Sequence, residues 1–475
     1  MMNIEQFVMG VKTKIIAPAG YGKTHFIADC VKFANDRNLG KQLILTHTHA
    51  GIASIRAKLL KCGIPSSAYN IETICGYAQK YVLGFATASV PEQNTSGYYK
   101  NIIPKVAELF SKQPIRNIIK KTYSGIFIDE YQDCTANQHN MLMQLKDAIP
   151  MHLLGDPMQG IFNFGEPLVD FDSELNDFSD ASGSLEQPWR WELNGNNPIL
   201  GQSLKTLRKY LEQGNDVDLS QNWPAINIIH VTGTVYNDLN YRRQVLRLSR
   251  IPNTLIIANS MLRQRQLLRN NLALSHFQLL EAIDDPDFYN LAIRLDTLLT
   301  STSQFSLFKE TCEQFLFNKT DIDTWFNNNG LKKKTKIEEK EKANQLKQHV
   351  DNLLDDKISK TSLFYIIKLM RDVLKLKYQR PELLNTIIKV LQNAIVSNCS
   401  ICNAMYDYKN HIRRTGRNLH KQCIGSTLLT KGLEFDNVII LDAHLLDKKN
   451  FYVAATRACK TLTIFTNSLL LTFNN

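Results

Sequence analysis

Short apolar runs separated by longer amphipathic stretches set the pattern of this chain. Lys14 to Ala17 (KIIA), Gln42 to Thr46 (QLILT), Gly125 to Ile128 (GIFI) and His152 to Leu154 (HLL) are strand-length apolar segments. Behind the first, Phe26, Ile27, Cys30, Val31, Phe33 and Ala34 recur at helical spacing, and a second helix is expected through Leu60. Strand, helix, strand at this spacing predicts βαβ units and a parallel sheet. A second set, Ile226 to Val231, Thr254 to Ala258, Val438 to Asp442 and Thr461 to Phe465, predicts a second sheet. Two blocks break the alternation. Residues 83–122 are weaker in pattern, polar from Pro91 to Gly97, and read as a small inserted lobe. From Leu274 to His420 the periodicity is helical with no sheet pattern; Leu346, Val350 and Leu353 form one stripe, and Leu363, Ile366, Ile367 and Met370 another.

The turn after the first strand carries the first chemistry. Pro18, Ala19, Gly20, Tyr21 and Gly22 lead into Lys23 and Thr24, which open a helix. A loop of small residues lets successive backbone N–H groups face one phosphate, and the helix N-terminus adds its positive end. Lys23 is then expected at the β/γ-phosphates and the Thr24 hydroxyl on Mg²⁺. The strict pattern begins with Gly, and Ala17 stands there instead.

GIFI ends in Asp129 and Glu130. Beside a phosphate loop, the first carboxylate suits Mg²⁺ and the second a general base that polarises the attacking water. HLL runs on into Gly155-Asp156-Pro157-Met158-Gln159, where Gln159 is a neutral donor suited to sensing a γ-phosphate. Phe162 and Phe164 follow on the same loop, either as stacking platforms for single-stranded bases or as core residues. Gln6, in the polar tetrad Asn3 to Gln6, lies near a bound base or caps a helix.

Composition narrows the class without deciding it. With 475 residues, 44% hydrophobic and 21% charged, the chain is globular and of several domains. The net charge of +11 makes a polyanion partner plausible. No run approaches about 18 uninterrupted apolar residues and no signal-peptide pattern is present, so no membrane span and a cytoplasmic location are expected. The nine cysteines show no disulfide framework. Cys399 and Cys402 form a single C-x-x-C near His411, His420 and Cys423, which is not expected to hold zinc. The basic run Lys332 to Lys336 reads as an exposed turn, with duplex phosphates as the other reading.

Taken together, APAGYGKT, LILTHTHAG, IETICGYA, IFIDEYQD, LLGDPMQGIF, LEQPWR, LIIANSMLRQRQLL, TLLTKGLEFDNVII and FYVAATRA resemble, in order, the motifs of superfamily-1 helicases of the UvrD/Rep/PcrA type. The resemblance extends from Ala17 to Ala458. It implies an α/β fold of two RecA-like parallel-sheet domains, each with an inserted, mainly helical subdomain, and ATP in the cleft between them. The expected divisions are 1–82 with 123–190 for the first RecA-like domain and 83–122 for its insertion. The second domain would take 191–273 with 421–475, and its helical insertion 274–420.

The resemblance also implies roles. Lys23, Asp129, Glu130, Gln159, Arg190 and Arg457 would be catalytic, the two arginines as fingers. Gln6, Ala19, Gly20, Tyr21, Gly22, Lys23, Thr24, His25, Trp189 and Glu434 would bind ATP, with Trp189 stacking on adenine and Glu434 near the ribose. Thr24 and Asp129 would hold Mg²⁺. Thr48, Thr73, Phe162, Phe164, Thr427 and Lys431 would contact DNA. His47, Cys75 and Leu428 depart from the family's Phe, His and His on the DNA-facing side. With 18 residues after Arg457, an appended nuclease domain is not expected. The implied activity is ATP-dependent 3′→5′ translocation on single-stranded DNA. The alternative is an ATP- and DNA-responsive regulatory subunit of a nuclease-containing complex. Compact helicases of this type in antiphage systems such as Gabija have this general size.

Overall fold

The structure is a computed structural model describing residues 4–85, 98–162, 165–192, 196–282, 285–415 and 419–473. It divides into two compact units, Met1–Ser260 with Gly425–Asn475, and Met261–Ile424.

The first unit opens with a short helix, α1 (Ile4–Met9), and then β1 (Lys12–Ile16). α2 (Lys23–Asp36), β2 (Gln42–Thr46), α3 (His49–Lys61) and β3 (Tyr69–Thr73) follow. α4 (Ile74–Phe85), α5 (Tyr98–Ser111) and α6 (Gln113–Thr122) fill the inserted stretch ahead of β4 (Gly125–Ile128). β5 (Met151–Gly155) and β6 (Ser179–Asp180) complete a six-stranded sheet in the order β3-β2-β4-β5-β1-β6. Its neighbouring strands all pair in parallel. Every residue of β2, β4 and β5 is buried, as a parallel sheet covered on both faces requires. That is why these strands read as continuous apolar runs instead of alternating ones.

A second parallel sheet contributes to the same unit. Thr254–Ile257 pairs with Phe435–Ile440, which pairs with Ala458–Thr466, which pairs with Ile226–His230. Both sheets carry flanking helices, so the α/β fold of two RecA-like sheets expected from the sequence is present. The helix Pro198–Glu212, N-capped by the Asn197 side chain, follows the first sheet in the chain and precedes the second.

The unit Met261–Ile424 is mainly helical. Its helices Pro286–Thr300, Gln304–Thr311, Ile337–Leu354, Lys360–Asp372, Pro381–Val396 and Ile401–Thr415 bury Leu295, Phe308, Val350, Ile366 and Leu391 in one core. Sheet pattern was not expected here, yet Phe326–Asn327 and Gly330–Leu331 form a small antiparallel hairpin, and Gln278–Leu279 pairs in parallel with Cys423 and Ile424. Two-residue strands are too short to leave a period in the sequence. Cys399 and Cys402 flank the start of the last helix, where Asp296 accepts the Ile401 and Cys402 N–H groups at 2.9 and 2.8 Å. Among the described residues no three His, Cys, Asp or Glu side chains are arranged to hold a metal ion. No helix among them is long and apolar enough to cross a membrane. The Lys332–Lys336 run is anchored at Lys334, whose ammonium lies 4.1 Å from the Trp325 ring centre.

Candidate active site

β1 sets the loop in place. The Ala17 N–H bonds to the Gly155 carbonyl at the end of β5, at 3.0 Å. Gly20 and Gly22 adopt φ of 77° and 88°, where a side chain is disfavoured. Space is closed as well: a Cβ on Gly20 would lie 2.8 Å from Arg190 Cβ and Trp191 Cζ3, and one on Gly22 would lie 3.2 Å from Trp189 Cδ1. The loop therefore turns tightly against residues 189–191 and delivers its backbone to the N-terminus of α2. Tyr21 is buried, and its hydroxyl has no hydrogen-bond partner among the described residues.

Lys23 arches back over this loop, its ammonium donating to the carbonyls of Ala17 at 2.7 Å and Pro18 at 3.2 Å. The Thr24 hydroxyl donates to Asp129 Oδ2 at 3.1 Å. Asp129 and Glu130 leave the end of β4, with Glu130 in the left-handed region at φ 56°. Burial pushes the Asp129 carboxyl up to about 6, and the neighbouring Glu130 charge adds to this against the pull of Lys23. Burial also acts to raise Glu130, but Lys23, Lys431, a Gln132 hydrogen bond and Arg457 together hold it below its ordinary value. Two adjacent carboxyls are thus driven apart in acidity, the condition for giving them different tasks.

The end of β5 supplies the next group. Asp156 is fully buried and accepts from Gln159 Nε2 at 2.8 Å. Gln159 Oε1 in turn accepts from Arg457 at 3.2 Å. Arg457 is 1% exposed and also donates to the Val453 carbonyl at 2.9 Å and the Thr456 hydroxyl at 2.9 Å. Burial, then Arg190, lowers its pKa to about 10, so it remains a cation at neutral pH. Arg190 is tied to the phosphate loop through its own N–H on the Gly20 carbonyl at 2.9 Å. Its guanidinium reaches the Thr456 carbonyl and Glu434, both at 2.7 Å. Trp191 is wedged beside it, with its indole N–H on the Ala458 carbonyl at 2.7 Å.

Lys23, Thr24, Asp129, Glu130, Gln159, Arg190, Arg457 and Glu434 are therefore joined by direct contact or by mutual electrostatics. Trp189 is 43% exposed against Gly22, and His25 is exposed on α2. Gln6 is exposed on α1. The residues assigned to DNA are more dispersed. Thr48 and Thr73 cap the starts of α3 and α4, accepting from the Gly51 and Gly76 N–H groups at 3.0 and 2.9 Å. The Thr427 hydroxyl bonds to Asn450. Lys431 is drawn inward: its side chain is 6% exposed, it bonds to Asp133 Oδ2 at 2.7 Å and to the Gln159 carbonyl, and it lies 4.7 Å from the half-buried Phe162 ring centre. Phe164 lies outside the described residues.

Sequence reasoning missed Asp156, Asp133, Tyr452 and Arg208. The first three lie inside motifs already quoted, GDPMQ, DEYQD and FYVAATRA, and could have been found there. Arg208 lies in no motif, and only the folded chain brings it to Asp156 at 2.6 Å.

A phosphate loop, a split carboxylate pair on a parallel strand end and two converging arginines define a phosphate-loop nucleotide-binding protein. Within that class, residues 88–171 match the UvrD/REP helicase N-terminal domain. Over 82 residues, 15% of this chain and 16% of the relative, the chain is 40% identical to the Gabija protein GajB of Bacillus cereus (strain VD045). Over 89 residues, 18% of this chain and 7% of the relative, it is 32% identical to one of the subunits of the ATP-dependent helicase/nuclease of Lactococcus lactis subsp. lactis (strain IL1403). These matches span a sixth or less of each relative's length. The crystal structure of Pif1 helicase from Candida albicans aligns over 98% of this chain and 94% of its own, at 13% identity and a TM-score of 0.39. Over these stretches the chain is similar to UvrD/REP-type helicases.

Proposed function

We propose that this chain is an ATP-dependent translocase on single-stranded DNA, with 3′→5′ helicase polarity, acting in the cytoplasm. ATP would lie between the first RecA-like domain (1–82 with 123–190, insertion 83–122) and the second (191–273 with 421–475, insertion 274–420). One observation supports this above the others: Arg457, which precedes the last strand of the second sheet, donates to Gln159 just beyond β5 at 3.2 Å, and Glu130 lies in the field of both Lys23 and Arg457. A base and a phosphate-binding lysine from one sheet thus share a field with an arginine from the other. Closure of the two sheets over one nucleotide would then govern hydrolysis.

The residues fit a divalent cation, because burial disfavours the ionised Asp129 carboxylate, which a cation would offset, and the Thr24 hydroxyl lies beside it. Mg²⁺ held there would neutralise charge developing on the phosphates. The chain's own residues would do the rest. Lys23 and the loop amides bind the phosphates, Trp189 stacks on the base, and Glu434 approaches the ribose. Glu130 takes the proton of the attacking water, while Gln159, Arg190 and Arg457 meet the equatorial charge. In this reading Thr48, Thr73, Phe162, Phe164, Thr427 and Lys431 would contact the strand, Lys431 only after release from Asp133.

A second reading is favoured by one finding, the similarity to the Gabija protein GajB and to part of a helicase/nuclease. In it the chain is a regulatory subunit that switches a nuclease partner and unwinds little DNA. Steady-state ATP turnover with oligo-dT, duplex DNA and RNA separates the two. Strong stimulation by oligo-dT, with strand displacement from a 3′ tail, is expected for the motor. Turnover indifferent to single-stranded DNA would remove the translocase and leave the regulatory reading.

A further inference from the structure

Arg208 sits on the helix Pro198–Glu212 and belongs to none of the motifs that define the site. It is 6% exposed, and its guanidinium organises two arms at once. One arm is Asp156: Arg208 donates to Oδ1 at 2.6 Å, while Oδ2 of the same carboxylate accepts from Gln159 Nε2 at 2.8 Å. Gln159 then presents its oxygen to Arg457 at 3.2 Å. The other arm is Tyr452. Arg208 donates to the Tyr452 hydroxyl at 2.9 Å, and that hydroxyl accepts from the Ala19 N–H of the phosphate loop at 3.4 Å. The guanidinium also lies 5.3 Å from the Tyr452 ring centre, and Glu212 holds its Nε at 2.8 Å.

We infer that Arg208 is a positioning residue for ATP hydrolysis: through Asp156 it fixes the orientation of the Gln159 carboxamide. The inference rests on the ATPase reading above. A fully buried carboxylate needs a partner, and the pair's geometry matters more than its net contribution to stability. Without Arg208, Asp156 would be drawn toward the remaining donors, and Gln159 is the nearest that can turn. The amide would rotate away from Arg457, and a group that meets developing charge would be lost with the fold intact. Binding draws on many loop contacts, so the effect should fall on turnover and hardly on affinity.

The test is a double-mutant cycle on the full chain, with steady-state ATPase in oligo-dT and equilibrium binding of a fluorescent ATP analogue. Arg208→Met and Asp156→Asn should each lower kcat by roughly tenfold or more, with nucleotide Kd shifted less than about threefold. The double variant should be no worse than the weaker single, because both act on one amide. Arg208→Lys should recover part of the rate. If Arg208→Met fails to fold, the double variant, with both buried charges removed, is expected to fold and is compared with Asp156→Asn alone. A double variant that loses the product of the two single effects, or that falls well below Asp156→Asn, overturns the inference, as does parental kcat in Arg208→Met. A parent that turns over no ATP overturns the reading beneath it instead.

Discussion

Among single residues, the buried titratable groups oppose one another in acid. His152 is buried against Thr13, with the Thr13 hydroxyl 2.7 Å from its Nδ1, and burial holds its pKa near 3. Below an unfolded value of about 6.5 the unfolded chain binds a proton that the folded chain refuses, so this group withdraws stability as pH falls from 6.5 toward 3. Asp129 works the other way. Its carboxyl, raised chiefly by burial to about 6, binds a proton in the folded chain before the unfolded one does. Its effect is to add stability as pH falls from 6 toward 4. Because the two oppose one another in the parent, the difference between parent and variant is the clean measurement. In urea melts at pH 6.5 and 5, the deficit of His152→Asn relative to the parent should shrink by up to about 1.4 kcal/mol per pH unit; a constant deficit would show that His152 takes up a proton in the fold. Glu130 supplies the second residue-level prediction. In the proposed mechanism its charge would be dispensable for binding, which Lys23, Thr24 and Asp129 would serve, and needed for hydrolysis. Glu130→Gln should bind and retain ATP while turnover falls by about 10²-fold or more. Loss of nucleotide binding in that variant would merge the two roles.

Among elements, those buried on both faces were the legible ones. QLILT and GIFI are strands β2 and β4 at the same boundaries, because a strand covered on both faces must be apolar throughout and its polar neighbours mark its ends. KIIA, Lys14 to Ala17, starts two residues late and ends one late: β1 spans Lys12–Ile16, and half-buried Lys12 with buried Thr13 adds a polar start that hydrophobicity alone does not see. The phosphate loop was legible for another reason, that its geometry needs particular small residues at particular places. Helix Pro198–Glu212 shows the limit. Its periodicity is plain, yet nothing in a helical pattern says that one arginine on its buried face will meet Asp156. The inward turn of Lys431 was hidden for the same reason: Asp133, which holds it, is 298 positions away. Long-range polar pairs leave no period behind them.

At the scale of the whole molecule, the phosphate loop and carboxylates come from the first sheet and Arg457 from the second, so hydrolysis should respond to whatever brings the sheets together. Single-stranded DNA that binds the closed arrangement better would raise turnover. Arg457→Ala should lose most of the DNA-stimulated rate while ATP affinity changes far less, a split read from kcat and from direct binding. Equal losses in both would make Arg457 a structural cation only. Trp191 carries this dependence into the history of the sequence. It is 1% exposed and closed in by two glycines: a Cβ on Gly20 would lie 2.8 Å from its ring, and one on Gly201 would lie 2.8 Å from its own Cβ. Position 20 lies far from 191 and 201 in the chain, yet the three share one volume. Gly201 is helical, so Ala is barred there by crowding alone, and the atom it meets first is the Trp191 Cβ, which every residue but glycine carries. Changing the side chain at 191 therefore does not by itself admit a larger residue at 201; the backbone between the two segments has to move first.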